Sequence, residues 1–233
     1  MCAALEIDTK IMKGRRFDPR GLASKSLTLL LLSILVCSLS LQSVRSEGST
    51  VSDPMSDFLD ANEKATSAEA YLDIVSGKVY WSGQVWVMEL SVSSVFSQYE
   101  STTVVVEWGI GIDSDMSWST GQQRTQPGNV WWNRLGIDYW AKITYDPRRT
   151  GNKTMSSLWR MSTTGKADLI ARPKFNMMNK TFIMELEEPS IGSPIAFQFL
   201  LMTQKVSNIG DQWKLLAYDK APNEGFLMAV KSS

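Results

Sequence analysis

From Tyr71 to the C-terminus, apolar residues recur at every second position in short runs that turn residues separate. This spacing is typical of β-strands, whose alternate side chains face opposite sides of a sheet. The clearest run is Thr102–Ile112, and others of the same kind are Val85–Val92, Leu135–Tyr145, Thr181–Glu187 and Ile195–Thr203. Many short strands at regular spacing predict that residues 71–233 form an all-β fold, an antiparallel β-sandwich.

Two strands carry further information about their surroundings. Gly109 and Gly111 share one face of the strand Thr102–Ile112, which predicts either a bulge or a close approach of another backbone. The run Ile195–Thr203 is apolar on both faces, and this pattern predicts a central strand.

The N-terminal segment has the pattern of an export signal. A basic stretch over residues 10–25 precedes Leu27–Leu41, an apolar run too short for a typical membrane span of about 20 residues. Val44-Arg45-Ser46 places small residues where a signal peptidase needs them, so residues 1–46 are predicted to be a signal peptide or, if uncleaved, an N-terminal membrane anchor helix. The protein is therefore expected outside the cell or at its surface, and residues 47–70 are predicted to be a polar linker with a short helix over 55–64.

Composition excludes several classes of function. The chain has no histidine, which removes Ser-His-Asp catalysis and His-ligated metals. Both cysteines, Cys2 and Cys37, lie in the leader, so the body cannot form an intrachain disulfide. Residues 1–46 contain seven of the 24 basic residues but three of the 24 acidic ones, which leaves the body with a net charge of −4. A mildly acidic body gives no electrostatic basis for binding nucleic acid.

Asp113 and Asp115 follow the strand Thr102–Ile112 directly and open a long loop. Two carboxylates on a tight loop suit Ca²⁺, which prefers oxygen ligands, although the spacing is not that of an EF-hand. The alternative is that both aspartates cap turn amides. A glycoside-active enzyme would instead pair one of them with a second carboxylate from Glu107, Asp138 or Asp219, and the spacing singles out no such pair.

Three of the nine tryptophans, Trp118, Trp131 and Trp132, fall in or beside this loop and outside any clean alternation. Exposed there, they would form an aromatic platform for the apolar faces of sugar rings, and they are the predicted ligand-binding residues. The alternative is that they pin the loop over one end of the sandwich. Asn152 and Asn179 begin glycosylation sequons, which predicts exposed positions for both.

Five short motifs together resemble a group of secreted prokaryotic β-sandwich domains, similar to the DOMON-like and family 9 carbohydrate-binding modules. They are Ile112-Asp113-Ser114-Asp115, Thr120-Gly121, Leu135-Gly136-Ile137-Asp138-Tyr139, Pro189-Ser190-Ile191-Gly192 and the stretch Tyr218–Gly225. The resemblance implies a jelly-roll-like sandwich with calcium at Asp113 and Asp115, and it does not imply catalysis. Haem-binding members of the DOMON group use histidine, so no haem is expected here.

These observations predict a non-catalytic cell-surface or secreted module that binds an extracellular glycan or a surface protein, with calcium as a structural ion. Its contact with the membrane would be confined to residues 27–41 of an uncleaved leader. The alternatives are a carboxylate-dependent glycoside-active enzyme and a structural envelope protein that self-associates through its sheet edges.

Overall fold

The computed structural model describes residues 48–97, 103–125, 130, 132–209 and 212–231. The predicted leader, its cleavage site and Trp131 lie outside these ranges. Within them the fold is all-β, as the alternating pattern predicts, and every strand pairs with an antiparallel neighbour. None of the described residues belongs to a helix with the length and apolar character needed to span a membrane.

Twelve strands and one 3₁₀ helix, Glu188–Ile191, are formed by the described residues. In chain order the strands are β1 Ser49–Ser52, β2 Ile74–Trp81, β3 Val85–Val92, β4 Val104–Asp113, β5 Tyr139–Tyr145, β6 Thr154–Met161, β7 Ala167–Ala171, β8 Lys174–Met178, β9 Thr181–Glu187, β10 Ala196–Ile209, β11 Gln212–Ala221 and β12 Leu227–Val230.

The strands form two sheets. The five-stranded sheet has the order β1-β2-β3-β9-β8, and the seven-stranded sheet has the order β11-β10-β4-β5-β6-β7, with β12 paired to β10. Strand β10 is the central strand that the two-faced apolar pattern predicts, since it pairs with β4 along one side and with β11 and β12 along the other.

A shared core holds the two sheets face to face. Trp86 of β3 packs against Phe197 of β10 with ring centroids 4.7 Å apart, and Trp108 of β4 stacks on Phe182 of β9 at 4.4 Å. These pairs each join one sheet to the other, and their large rings bury the apolar area that drives the packing. The sandwich is therefore closed by aromatic residues from its inner strands.

The seven-stranded sheet is also buried on its outer face. The described residues of 114–138, called the Asp loop below, fold back over this face and place Leu135 and Ile137 against β4 and β10. The Asp loop lies so close that a Cβ on Gly111 would come within 2.9 Å of the Ile137 side chain. The two glycines of β4 thus serve close packing, and the strand runs without a register shift.

Three local predictions differ from the structure. Leu135–Asp138 precede β5 and are not part of it. The apolar side chains of Leu135 and Ile137 pack on the outer face of the sheet. The stretch Asp168–Phe175 predicts one strand broken by Pro173, whereas the structure has two strands there, β7 and β8, which belong to different sheets. Residues 55–64 form turns and an isolated bridge where a helix was predicted, and the preceding β1 joins the five-stranded sheet.

Both sequon asparagines occupy exposed turns, as predicted. Asn152 lies in the turn between β5 and β6, and Asn179 lies between β8 and β9 with a positive φ of 54°. Each is accessible to a glycosylating enzyme, and the modification itself stays a prediction.

Candidate functional site

The Asp loop brings three carboxylates together where β4 ends and β5 begins. Asp113 is the last residue of β4, Asp115 follows in the loop, and Asp138 immediately precedes β5. One oxygen from each lies within 4.8 Å of the other two. The sequence predicted the first two as a pair, and the antiparallel register of β4 with β5 adds the third.

Each of these carboxylates accepts hydrogen bonds from the loop itself. Asp113 Oδ1 accepts from the backbone N–H of Ser117 at 3.0 Å, and its Oδ2 accepts from that of Gly136 at 3.3 Å. Asp138 Oδ2 accepts from both the backbone N–H and the hydroxyl of Ser114, at 2.9 and 2.8 Å. The cluster therefore has the turn-capping role that was one of the two alternatives for this pair.

Asp115 completes the capping at the exposed side of the loop. It accepts from the Thr120 hydroxyl at 2.8 Å and shares the Ser117 N–H at 3.0 Å. Aspartate commonly stabilises turns through such local bonds. This observation explains why the sequence places aspartates at these positions without invoking a metal.

Asp113 has a raised pKa. Burial raises it most, the charges of Asp138 and Asp115 also raise it, and the hydrogen bonds from Ser117 and Gly136 lower it, so that the pKa lies at about 6. Desolvation penalises the ionised form, whereas N–H donors favour it. Asp113 is therefore protonated more readily than an ordinary aspartate.

The three loop tryptophans do not form the predicted joint platform among the described residues. Trp118 is 38% exposed, Trp132 is only 3% exposed and packs against Trp140 at 5.1 Å, and Trp131 lies outside the described residues. Trp132 therefore pins the loop to the sheet, the alternative that the sequence left open. Trp118 is the described member that a ligand can reach.

A polar cavity of about 230 Å³ lies at one side of the Asp loop, and no sequence pattern indicates it. Its described lining comes from two places, Gln122, Gln123, Arg124 and Thr125 of the Asp loop and Thr163, Thr164 and Gly165 of the turn between β6 and β7. The Gln123 side-chain amide donates to the backbone carbonyl of Trp118 at 3.0 Å, which connects the cavity wall to the main chain of the exposed tryptophan.

Gln122 is a lining residue whose side chain carries a polar atom that the described residues leave unsatisfied. Its side chain is buried, and within the described part of the chain its Oε1 has no hydrogen-bond partner. A buried polar atom without a partner is unfavourable, and such atoms are uncommon in native proteins. The main chain of Gln122 is fixed by a two-way bridge to Ile137, with N···O distances of 2.7 and 2.9 Å.

Sequence reasoning missed this cavity because its two walls are far apart in the chain. The stretch Gln122–Thr125 alternates weakly and resembles any polar loop, and residues 163–165 resemble any turn. Only the packing of the Asp loop beside the β6–β7 turn brings them together.

Comparisons with known proteins leave the site to be interpreted from its own chemistry. No protein family, no curated protein and no solved structure matches this chain.

Proposed function

We propose that this protein is an exported, non-catalytic, jelly-roll-like β-sandwich module that binds glycans at the Asp loop. The observation that carries the proposal is the polar cavity of about 230 Å³ whose wall residue Gln123 bonds to the backbone of the half-exposed Trp118. The apolar residues of the loop anchor it to the sheet, so that its polar residues are held in a fixed arrangement. A fixed arrangement lowers the conformational entropy lost on binding.

The chemistry of the cavity matches that of a sugar. Glutamine amides, the Arg124 guanidinium and the threonine hydroxyls provide donors and acceptors for sugar hydroxyl groups. Gln122 Oε1 is buried and would accept one such hydroxyl after its side chain reorients toward the cavity. The indole of Trp118, which is 38% exposed, offers an apolar face for the C–H side of the ring. Binding pockets combine an apolar surface with a few placed polar groups in this way.

Binding without turnover is favoured by what the described lining contains. Its residues are amides, hydroxyls, a guanidinium and a glycine, whereas glycoside hydrolysis generally requires two carboxyl groups on opposite sides of the scissile bond. Of the acids nearest to the lining in sequence, Asp168 pairs with Lys166, and Asp115 accepts a hydrogen bond from its own loop. Calcium at Asp113 and Asp115 stays a prediction, with Asp138 as the third oxygen donor.

A glycan array followed by titration of the bound sugars tests the proposal. Trp118→Ala should weaken binding at least tenfold, because stacking on a tryptophan and its buried apolar area are lost. Trp213→Ala is the matched control, since Trp213 is also exposed but lies on β11. Release of a cleaved sugar product would show that the protein is an enzyme and not only a binding module. Equal binding by both variants would show that the Asp loop is not the binding site.

A second candidate, self-association through a sheet edge, is favoured by β7. This edge strand of the seven-stranded sheet exposes Leu169 and Ile170, at 45% and 37%. An exposed apolar edge can pair with another chain. Sedimentation of the full chain over a range of concentrations should then show assembly that Leu169→Lys abolishes, and a monomer at all concentrations would exclude this function.

A further inference from the structure

A second group of carboxylates lies away from the Asp loop. Asp53 and Asp57 come from the segment after β1, and Asp219 comes from β11, more than 160 residues later in the chain. One oxygen from each of the three lies within 4.8 Å of the other two. The side chain of Asp219 is completely buried, and the other two are partly buried.

Each of the three carboxylates has one buried oxygen without a hydrogen-bond partner in the described part of the chain. These atoms are Asp53 Oδ2, Asp57 Oδ1 and Asp219 Oδ1. The second oxygen of Asp219 accepts from the Ile74 N–H at 2.7 Å, and that of Asp57 accepts from the Asn223 side-chain amide at 2.5 Å. In the Asp loop, by contrast, the loop's own donors bond to the carboxylates.

The charge around these oxygens is also uncompensated. Among the described residues, no lysine or arginine forms an ion pair with Asp53, Asp57, Asp219 or the neighbouring buried Asp73. Burial, together with the charges of the neighbouring aspartates, raises the pKa of Asp219 to about 8 and that of Asp53 to about 7. Buried charges normally require a partner or a metal ion.

We propose that Asp53, Asp57 and Asp219 form a calcium-binding site that joins the N-terminal segment of the sandwich to its penultimate strand. A cation in this position would contact the three oxygens that lack hydrogen bonds and would neutralise the converging charges. Hard cations prefer such carboxylate oxygens. Waters would complete the coordination, together with the side-chain oxygen of Asn223 if its amide group were flipped.

The origin of the ligands favours Ca²⁺ over Mg²⁺. Calcium tolerates irregular coordination, which suits carboxylates from distant segments, whereas Mg²⁺ requires near-ideal octahedral geometry. Two oxygens that bind one Ca²⁺ lie at most about 4.6–5.2 Å apart. Each of the three carboxylates offers an oxygen within 4.8 Å of the other two.

The site lies where the chain already connects these segments. Leu59 and Tyr218 exchange two backbone hydrogen bonds, at 3.0 and 2.9 Å, and Phe58 enters the main core. The Ser56 N–H donates to Asp73 at 2.7 Å, which fixes the turn between Asp53 and Asp57. A bound ion would therefore hold the N-terminal segment on the sandwich.

Calcium titration of the purified full chain by calorimetry, with parallel thermal unfolding, tests this site. The wild-type protein should bind Ca²⁺ and unfold about 5–10 °C higher at saturation, with a weaker response to Mg²⁺. Asp57→Asn should lose one bound ion and that shift, whereas Asp168→Asn, on the exposed β7, should retain both. Asp219→Asn preserves an acceptor for the Ile74 N–H and should behave like Asp57→Asn.

Comparison with Asp115→Asn separates this site from the Asp loop. If both sites bind calcium, Asp115→Asn and Asp57→Asn each remove one of two ions; if only the proposed site does, Asp115→Asn leaves the number of bound ions unchanged. An unchanged number of bound calcium ions in both Asp57→Asn and Asp219→Asn would overturn the proposal. Absence of any calcium binding by the wild-type protein would do the same, and the three carboxylates would then be held neutral by protons.

Discussion

Replacing Asp113 with alanine separates the two interpretations of the Asp loop, turn capping and calcium binding. Asp113 is 1% exposed and accepts from the N–H groups of Ser117 and Gly136. Ser117 keeps a partner in the variant, because its N–H also reaches Asp115 at 3.0 Å. The buried N–H of Gly136 loses the Asp113 carboxylate, and an unsatisfied buried donor costs about 1–3 kcal/mol.

A second contribution acts in the opposite direction. Burial raises the pKa of Asp113 to about 6, so its ionised form is disfavoured in the folded protein and its removal returns part of that cost. We therefore expect a net destabilisation of about 1 kcal/mol. In a chain of this size that lowers the unfolding midpoint by about 2–4 °C.

The assay is thermal unfolding of the full chain at pH 7 with a chelator, repeated with excess Ca²⁺. Capping predicts that Asp113→Ala is destabilised by the same amount in both conditions. Asp168→Ala is the control, since that carboxylate is exposed and such changes usually stay within about 0.5 kcal/mol. A loss seen only with Ca²⁺ would refute the capping argument and make Asp113 a metal ligand.

Two further predictions test the packing of the Asp loop and the second acidic cluster. In Gly136→Ala, the new Cβ would lie 2.2 Å from the Thr120 carbonyl oxygen, so unfolding should become easier by about 1–3 kcal/mol. A wild-type midpoint for this variant would show that the loop is not packed as described. The second prediction concerns pH: because the pKa of Asp219 is raised from 3.8 to about 8, the folded state binds more protons than the unfolded state between these values. In chelator the midpoint should therefore fall as pH rises from 5 to 8.5, with a flatter profile in Asp219→Asn, and a midpoint that rises over this range would contradict the burial argument.

Strands were predictable wherever one face of the sheet meets the main core. The structure forms β9 over Thr181–Glu187 and β3 over Val85–Val92, with the bounds that the alternation predicts. At Leu135–Ile137 the same period of two is present, but these residues cover a sheet face. A local pattern reports which side chains are apolar, and it does not report which surface they cover.

The candidate sites were predictable only in the part that is contiguous in sequence. Asp113 and Asp115 are recognisable as a pair, whereas the role of Asp138 depends on the pairing of β4 with β5. The walls of the polar cavity and the cluster around Asp219 come from segments that the topology brings together. The burial of Trp132 also depends on tertiary packing. The residues beside each tryptophan of the loop in the sequence are too similar to show which one is buried.

The seven-stranded sheet is covered on both faces, and this restricts which substitutions the protein can tolerate. Surface loops usually tolerate substitution and insertion. Here the base of the Asp loop, at Leu135 and Ile137, is part of the interior, so substitutions there should be restricted as strongly as in β4. The exposed tip around Met116 and Trp118 carries no such restriction. New ligand preferences can therefore arise at the tip while the base preserves the fold.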